Sequence, residues 1–131
     1  MTMREILFRG KYAPSGAWIM GDLRQYPSGA KAIKANDMLH IMEVDPDTIG
    51  QYTGLVDKHG KKIFEGDIVV MTLPAAKMHW RAVCKFHSGA FGLVWHHMGV
   101  ERWQAFAGIC NAEYEVIGNI YDNPEPPKEA P

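Results

Sequence analysis

Six histidines in a chain of 131 residues make a metal site the first chemistry to test. His79 and His87 would share one face of an extended strand, but eight residues of extended chain separate them by roughly 27 Å. One ion cannot bind both side chains directly over that distance. His96 and His97 are adjacent, so on a strand they would point to opposite faces. The spacing therefore predicts neither a metal site nor another bound cofactor.

Nucleophilic catalysis also lacks a supporting motif. Ser15, Ser28 and Ser88 each lie beside a glycine in a turn-like context, outside any G-x-S-x-G elbow. Cys84 and Cys110 form no C-x-x-C motif, and we expect both to be reduced, buried thiols. No glycine-rich phosphate loop is present in the sequence. We therefore expect a protein that is not an enzyme.

The charge balance excludes binding driven by the charge of the whole chain. Lys and Arg number 14 against 15 Asp and Glu, giving a net charge of -1, so neither nucleic acid nor an anionic membrane would attract the chain as a whole. The sequence shows no membrane-spanning stretch and no signal segment. We expect a cytoplasmic protein that does not associate with membranes.

Short apolar runs separated by 13 glycines and 8 prolines are typical of a β-rich domain. A polar, basic stretch, Tyr26 to Asn36, is interpreted as a loop or hairpin tip. Spacings of three and four residues between Met98 and Ala107 favour one short helix. The strand candidates, by number, are 4–9, 17–20, 38–44, 49–56, 68–71, 79–86, 91–95 and 113–117.

The strand at 79–86 has the clearest alternation, and Ser88-Gly89 predicts a hairpin with the following strand. Its apolar face is predicted to be core and comprises Trp80, Ala82, Cys84 and Phe86. The opposite face, with side chains of the neighbouring strand, predicts a binding face formed by His79, Arg81, Lys85, His87, Trp95 and His96.

Five blocks of the sequence resemble a known family. The segments, by number, are 4–11, 16–23, 48–55, 57–69 and 116–124, with Asp57-Lys58-His59-Gly60 and Phe64-Glu65-Gly66-Asp67 inside the fourth. Together they are similar to the YopX family. The resemblance implies a small protein encoded by bacteriophages or prophages and built on an SH3-like β-barrel. It implies no activity, cofactor or catalytic residue.

The family blocks are interpreted as structural turn chemistry, because glycine allows bends and short polar side chains bind open backbone groups. The residues concerned are Gly54, Gly60, Gly66, Asp67, Gly118 and Asn119. We expect one mainly β domain over residues 1–122, formed by a small SH3-like barrel with additional N-terminal strands and at most one or two short helices. Residues 123–131, rich in proline, are expected to be a disordered tail.

The favoured function is that of a phage-encoded, non-catalytic interaction protein acting in the cytoplasm of the bacterial host. Its partner would be a host or phage protein, or a second copy, because the many Trp, Phe and Met side chains exceed what a small barrel buries. A homo-oligomer is expected. The alternative is a single-stranded nucleic-acid-binding barrel, and a further alternative is a phage enzyme with an unrecognised histidine site.

Overall fold

A computed structural model describes residues 4–35 and 39–123, and the contacts divide the chain into two units, Met1–Gly54 and Leu55–Pro131. Regular structure in the described residues is eleven β-strands and three 3-10 helices of three residues each. The prediction of a mainly β protein is confirmed. No helix in the described part of the chain is both long and apolar enough to span a lipid bilayer.

The first unit is an antiparallel sheet with the strand order β4-β3-β2-β1-β5. A 3-10 helix, Pro46–Thr48, precedes the last of these strands. The predicted loop Tyr26 to Asn36 contains a strand, so the hairpin tip is shorter than expected. The strands are β1 (Phe8–Lys11), β2 (Trp18–Gln25), β3 (Lys31–Lys34), β4 (Ile41–Val44) and β5 (Gly50–Val56).

Two cations of β1 lie over one indole in the first unit. The Arg9 guanidinium carbon is 4.7 Å from the Trp18 ring centroid, and the Lys11 Nζ is 5.4 Å from the same centroid. Thr48 fixes the other side of β1, because its Oγ1 accepts the Lys11 N–H at 2.9 Å and donates to the Asp45 carbonyl at 2.7 Å. These contacts tie β1 to β2 and to the 3-10 helix.

The second unit contains the five-stranded antiparallel sheet β10-β9-β8-β7-β11. A 3-10 helix, Pro74–Ala76, connects β7 with β8, and another, Phe106–Gly108, follows β10. β5 ends in this unit, where β6 is its neighbour. The strands are β6 (Lys62–Phe64), β7 (Asp67–Leu73), β8 (Met78–His87), β9 (Ala90–His97), β10 (Val100–Ala105) and β11 (Glu113–Asn119).

The core of the second unit lies on one face of this sheet. Its buried members come from β6, β7, β8 and β9: Ile63, Val69, Met71, Ala82, Cys84 and Leu93. Trp80, Trp95, Phe106 and Tyr114 are partly buried against them. The strand register places Val69 opposite Ala82 and Cys84 opposite Leu93, so alternating residues of neighbouring strands form one continuous apolar layer.

Three local predictions are wrong. Most of the helix expected between Met98 and Ala107 is the strand β10, and only the 3-10 helix Phe106–Gly108 overlaps its end. Met98 and Gly99, both with positive φ, make a two-residue turn into β10, and pairing with β9 overrides the helical spacing. Phe86 is 54% exposed because it lies near the hairpin end, where its ring meets Phe91 at 5.0 Å. Cys110 is exposed, whereas Cys84 is buried as expected.

Other architectural predictions have different outcomes. Both sheets are open in strand order, and the SH3-like barrel and the single domain over residues 1–122 stay predictions. Of the expected tail, residues 124–131 lie outside the described residues. Asn123 is held in a turn, since its N–H donates to the Asn119 carbonyl at 2.9 Å.

The Asp57 carboxylate joins the turn after β5 to the edge strand β11. Its Oδ1 accepts the N–H groups of His59 and Lys61, both at 2.9 Å, and its Oδ2 accepts the Val116 N–H at 2.9 Å. Asp57 is only 6% exposed. A buried carboxylate needs such donors, and buried N–H groups need an acceptor. The contact is therefore structural.

Replacing this carboxylate should destabilise the protein. We expect Asp57→Ala to lower the free energy of unfolding by about 2–4 kcal/mol, because three N–H groups lose a charged acceptor. Urea denaturation at pH 7 measures the loss. Asp47→Ala, which removes an exposed carboxylate, is the control and should change stability by less than about 0.5 kcal/mol. Equal losses would contradict the assigned role.

The same carboxylate should make stability depend on pH. Although burial raises the pKa of Asp57, hydrogen bonds from Val116, Lys61 and His59, with the charge of His59, leave it below its ordinary 3.8. Because the pKa of Asp57 is lower in the folded than in the unfolded state, its carboxylate stabilises the protein at pH values above the unfolded-state pKa. This stabilisation is lost as the pH falls through the folded-state pKa. The stability difference between wild type and Asp57→Ala should therefore narrow below about pH 4; a widening would contradict this.

Candidate functional site

The face of the second sheet opposite its core carries most of the predicted binding residues. On β8 the core residues Ala82 and Cys84 alternate with residues that point the other way. We call this second face the outer face. Its exposed β8 residues are His79, Arg81, Lys85 and His87, so the structure places these four predicted residues together along one strand.

The outer face continues across β9 and β10. Val83 of β8 lies opposite Val94, and Val94 lies opposite Trp103. His96 lies two residues beyond Val94 on β9 and is opposite Glu101 of β10. The outer face therefore includes the predicted His96 and, in addition, Trp103, which was not among the predicted site residues.

Trp103 is the aromatic residue of the outer face. Its ring lies over β9, where a Cβ at Gly92 would come within 2.8 Å of the indole Cη2. The His87 ring meets Trp103 edge to face, with centroids 5.2 Å apart and an interplanar angle of 74°. Gly92 of β9 thus leaves the space in which the Trp103 indole of β10 reaches the His87 imidazole of β8.

Trp95 does not belong to this face. It packs against the core cluster, and its ring centroid lies 5.6 Å from that of Trp80. The prediction of Trp95 on the binding face was wrong because the register of the hairpin was not followed. The two-residue turn Ser88-Gly89 pairs His87 with Ala90, and the same register, continued along the hairpin, places Trp95 opposite the core residue Ala82. Counting from that turn would have assigned Trp95 to the core.

The outer face carries charges of both signs. Arg81 is opposite Val70, which is opposite Glu115, so this cation and carboxylate lie two strands apart, about 10 Å. The Glu115 Oε2 also meets the Lys58 Nζ at 3.3 Å. His96 Nε2 is 3.9 Å from Glu101 Oε1. The face presents a mixed electrostatic pattern rather than a uniform basic one.

Metal-ligating side chains do not cluster in the part of the chain that the structure describes. No group of three or more His, Cys, Asp or Glu there is arranged to hold an ion. His79 and His87 lie near opposite ends of β8.

Four of the residues interpreted as structural turn chemistry lie where β7 begins and where β11 ends: Gly66, Asp67, Gly118 and Asn119. Asp67 is buried, and its Oδ2 accepts the Phe64 N–H at 2.8 Å. Asn119 Oδ1 accepts the N–H groups of Tyr121 and Asp122 at 3.0 and 2.9 Å. A Cβ at Gly118 would meet the Asn123 amide. Gly54, Gly60 and Gly66 all have positive φ.

A shallow cleft of about 450 Å³ lies in the first unit, between β1, β3 and β4. Its charged lining residues are Lys11, Lys31, Glu43 and Asp45. Lysines and carboxylates are equal in number there, so the cleft offers no excess charge with which to select an ion.

Comparison with protein families gives a match over nearly the whole described chain. The model of the family described as YopX protein matches residues 8–126. The chain belongs to the YopX family. The five sequence blocks that resemble the family lie within or beside this single continuous match. The resemblance proposed from the residues is therefore confirmed.

Solved structures share the YopX fold. The YopX protein of Bacillus subtilis is 21% identical, with a TM-score of 0.64 over 94% of this chain and 98% of that one. Protein EF1440 of Enterococcus faecalis is 24% identical, with a TM-score of 0.54 and the same coverage of both chains. No curated protein is significantly similar to the chain. At these identities the likeness establishes the fold.

Two glycines of the YopX blocks should differ in what they tolerate. Gly66 has φ +88°, and a Cβ there would lie 2.8 Å from Tyr121 Cε2, whereas Gly60 has φ +81° and open space around it. Gly60→Ala should cost about 1 kcal/mol through its backbone conformation alone. Gly66→Ala should cost at least about 1 kcal/mol more, because the Tyr121 ring must also move. Equal urea-denaturation midpoints would contradict this difference.

Proposed function

We propose that this YopX-family chain is a non-catalytic, phage-encoded interaction protein that binds a protein partner through the outer face of its second sheet. The observation that carries the proposal is the combination on one face of the cations Arg81 and Lys85, the carboxylates Glu101 and Glu115, and the half-buried Trp103.

This composition suits a protein partner. Tryptophan and arginine are enriched in protein interfaces, where an aromatic anchor supplies contact area and charged groups around it set orientation. Trp103 has the position of such an anchor, since Arg81, Lys85 and Glu101 lie on the same face. A face with charges of both signs selects a partner with the complementary pattern and excludes others.

The partner is a host or phage protein met in the cytoplasm of the bacterial host. Support for this setting is the family resemblance together with the near-zero net charge of -1, which gives the chain no general attraction to anionic lipid. Recognition then depends on the local pattern of the outer face rather than on the charge of the whole chain.

Single-stranded nucleic acid is the second candidate. The edge-to-face contact of His87 with Trp103 holds an aromatic ring on a face that also carries Arg81 and Lys85, and a base can stack on such a ring while cations meet phosphates. Glu101 and Glu115 on the same face disfavour this reading, because carboxylates repel phosphates.

The partner-binding proposal is tested with a purified partner. Immobilised protein is used to capture candidates from bacteria with an induced prophage, and each captured protein is purified and titrated by calorimetry. Trp103→Ala should weaken binding at least tenfold because the aromatic anchor is lost, while Trp103→Phe, which keeps a ring, should restore part of the affinity. Raising NaCl from 0.1 to 0.5 M should change the Kd less than threefold.

Matched variants separate the outer face from the rest of the surface. Lys85→Glu reverses a charge on the outer face, whereas Lys31→Glu makes the same change in the first unit. Only Lys85→Glu should weaken binding; unchanged affinity for both Lys85→Glu and Trp103→Ala would refute the outer face as the site. A fluorescent 30-nucleotide strand bound at micromolar affinity in physiological salt, and released by Arg81→Glu, would establish the nucleic-acid candidate instead.

A further inference from the structure

The two edges of the second sheet differ in how far their backbone groups are already bonded. At the β11 edge, the Tyr114 carbonyl accepts the Lys58 N–H at 2.9 Å, and the Val116 N–H donates to the Asp57 carboxylate at 2.9 Å. The pairing of β11 with β7 also shifts register between Val116 and Gly118. A bonded and irregular edge of this kind resists the addition of another strand.

The β10 edge is more regular. β10 pairs with β9 without a register shift from Val100, opposite His97, to Ala105, opposite Gly92. It contains no proline, and within the described residues β9 is the strand that neighbours it. A regular open edge is a template for the main-chain hydrogen bonds of an added strand.

The hairpin turn determines which groups of β10 point outward. Met98 and Gly99 have φ +51° and +75°, so the pair His97 and Val100 closes a two-residue turn and is hydrogen-bonded. Bonded and non-bonded pairs alternate along an antiparallel ladder. Glu101, Trp103 and Ala105 therefore direct their N–H and C=O groups away from β9.

The preceding hairpin gives the same assignment independently. Ser88 and Gly89 also form a two-residue turn with positive φ, closed by His87 and Ala90. Alternation along β9 then directs Leu93, Trp95 and His97 towards β10. Of the outward groups of β10, the Ala105 carbonyl already accepts the Gln104 Nε2 at 3.4 Å, which is long for a hydrogen bond.

We propose that a second copy of this chain adds its β10 antiparallel to the β10 edge, in the register centred on Trp103. Each outward residue then faces an outward residue: Glu101 faces Ala105 of the second copy, and Trp103 faces its equivalent. All three exchange both backbone groups, as hydrogen-bonded antiparallel pairs do. The inference rests on the proposed role as an interaction protein and adds a second copy at the sheet edge to the protein partner of the outer face.

Backbone pairing and charge favour this register, because only centring on Trp103 pairs all three outward residues of β10 with one another. A twofold axis perpendicular to the joined sheet requires one residue to lie opposite itself. Centring on Arg102 would oppose two guanidinium groups, and centring on Glu101 would oppose two carboxylates, both of which destabilise a strand pair. Centring on Trp103 places no like charges opposite each other, and each indole can stay over β9 of its own copy.

The test compares two substitutions at one position. Glu101→Pro removes an outward N–H without removing a hydrogen bond of the β9–β10 ladder, so the fold should be kept; Glu101→Ala removes the same side chain and keeps the N–H. Sedimentation equilibrium of the full chain should give twice the 14.7 kDa chain mass for wild type. Glu101→Ala should dimerise within threefold of wild type, and Glu101→Pro should dimerise at least tenfold more weakly.

A second variant protects the test against misfolding. Trp103→Lys places like charges opposite each other at the centre of the pair, so it should give a monomer at 0.05 M NaCl and recover part of the dimer at 0.5 M. A wild-type mass of one chain at 100 µM, or a dimer that Glu101→Pro leaves unchanged, would overturn the inference. Titration with a purified protein partner measures binding to the outer face independently of the oligomeric state. If the wild-type chain is a monomer and still binds that partner, only the β10 pairing is refuted.

Discussion

The second unit depends on one buried carboxylate. Asp57 accepts N–H groups from its own turn and from Val116, which is 59 residues away in sequence. The charge would be too costly to bury without these donors, and the donors would be unsatisfied without the charge. Each side of the contact thus requires the other. This mutual requirement holds β11 in place, and with it Tyr114 and Val116, which close one side of the core.

Much of the fold follows from local patterns in the sequence. Glycine and proline separate the short strands, and β8 alternates between buried and exposed residues over Arg81 to Lys85, as its sequence predicts. The errors occur where tertiary pairing decides. Val100 and Trp103 have helical spacing, yet the Met98-Gly99 turn brings β10 against β9. Local spacing could not reveal that this segment gains a full strand partner.

The candidate surface was partly predictable for the same reason. The β8 side chains share a face because strand periodicity is short and regular, and this needs no tertiary information. Trp95 and Trp103 exchange roles because their faces depend on the register of two successive hairpins. A shift of one residue in the first turn would reverse the face of Trp95, and one in the second turn would reverse that of Trp103. The mixed charge of the surface likewise appears only when Glu101 and Glu115 are placed beside β8 by those registers.

The unequal edges of the second sheet also bear on solubility. A sheet with two open edges can recruit strands at both ends and grow without limit, as in amyloid-like fibres. Here the Asp57 carboxylate and the Lys58 N–H occupy groups along β11, so lengthening of this sheet is restricted to β10. Once the β10 edge has paired, a further chain meets only β11 edges, where backbone groups are already bonded. The hydrogen bonds that anchor β11 thereby stop the sheet from growing further.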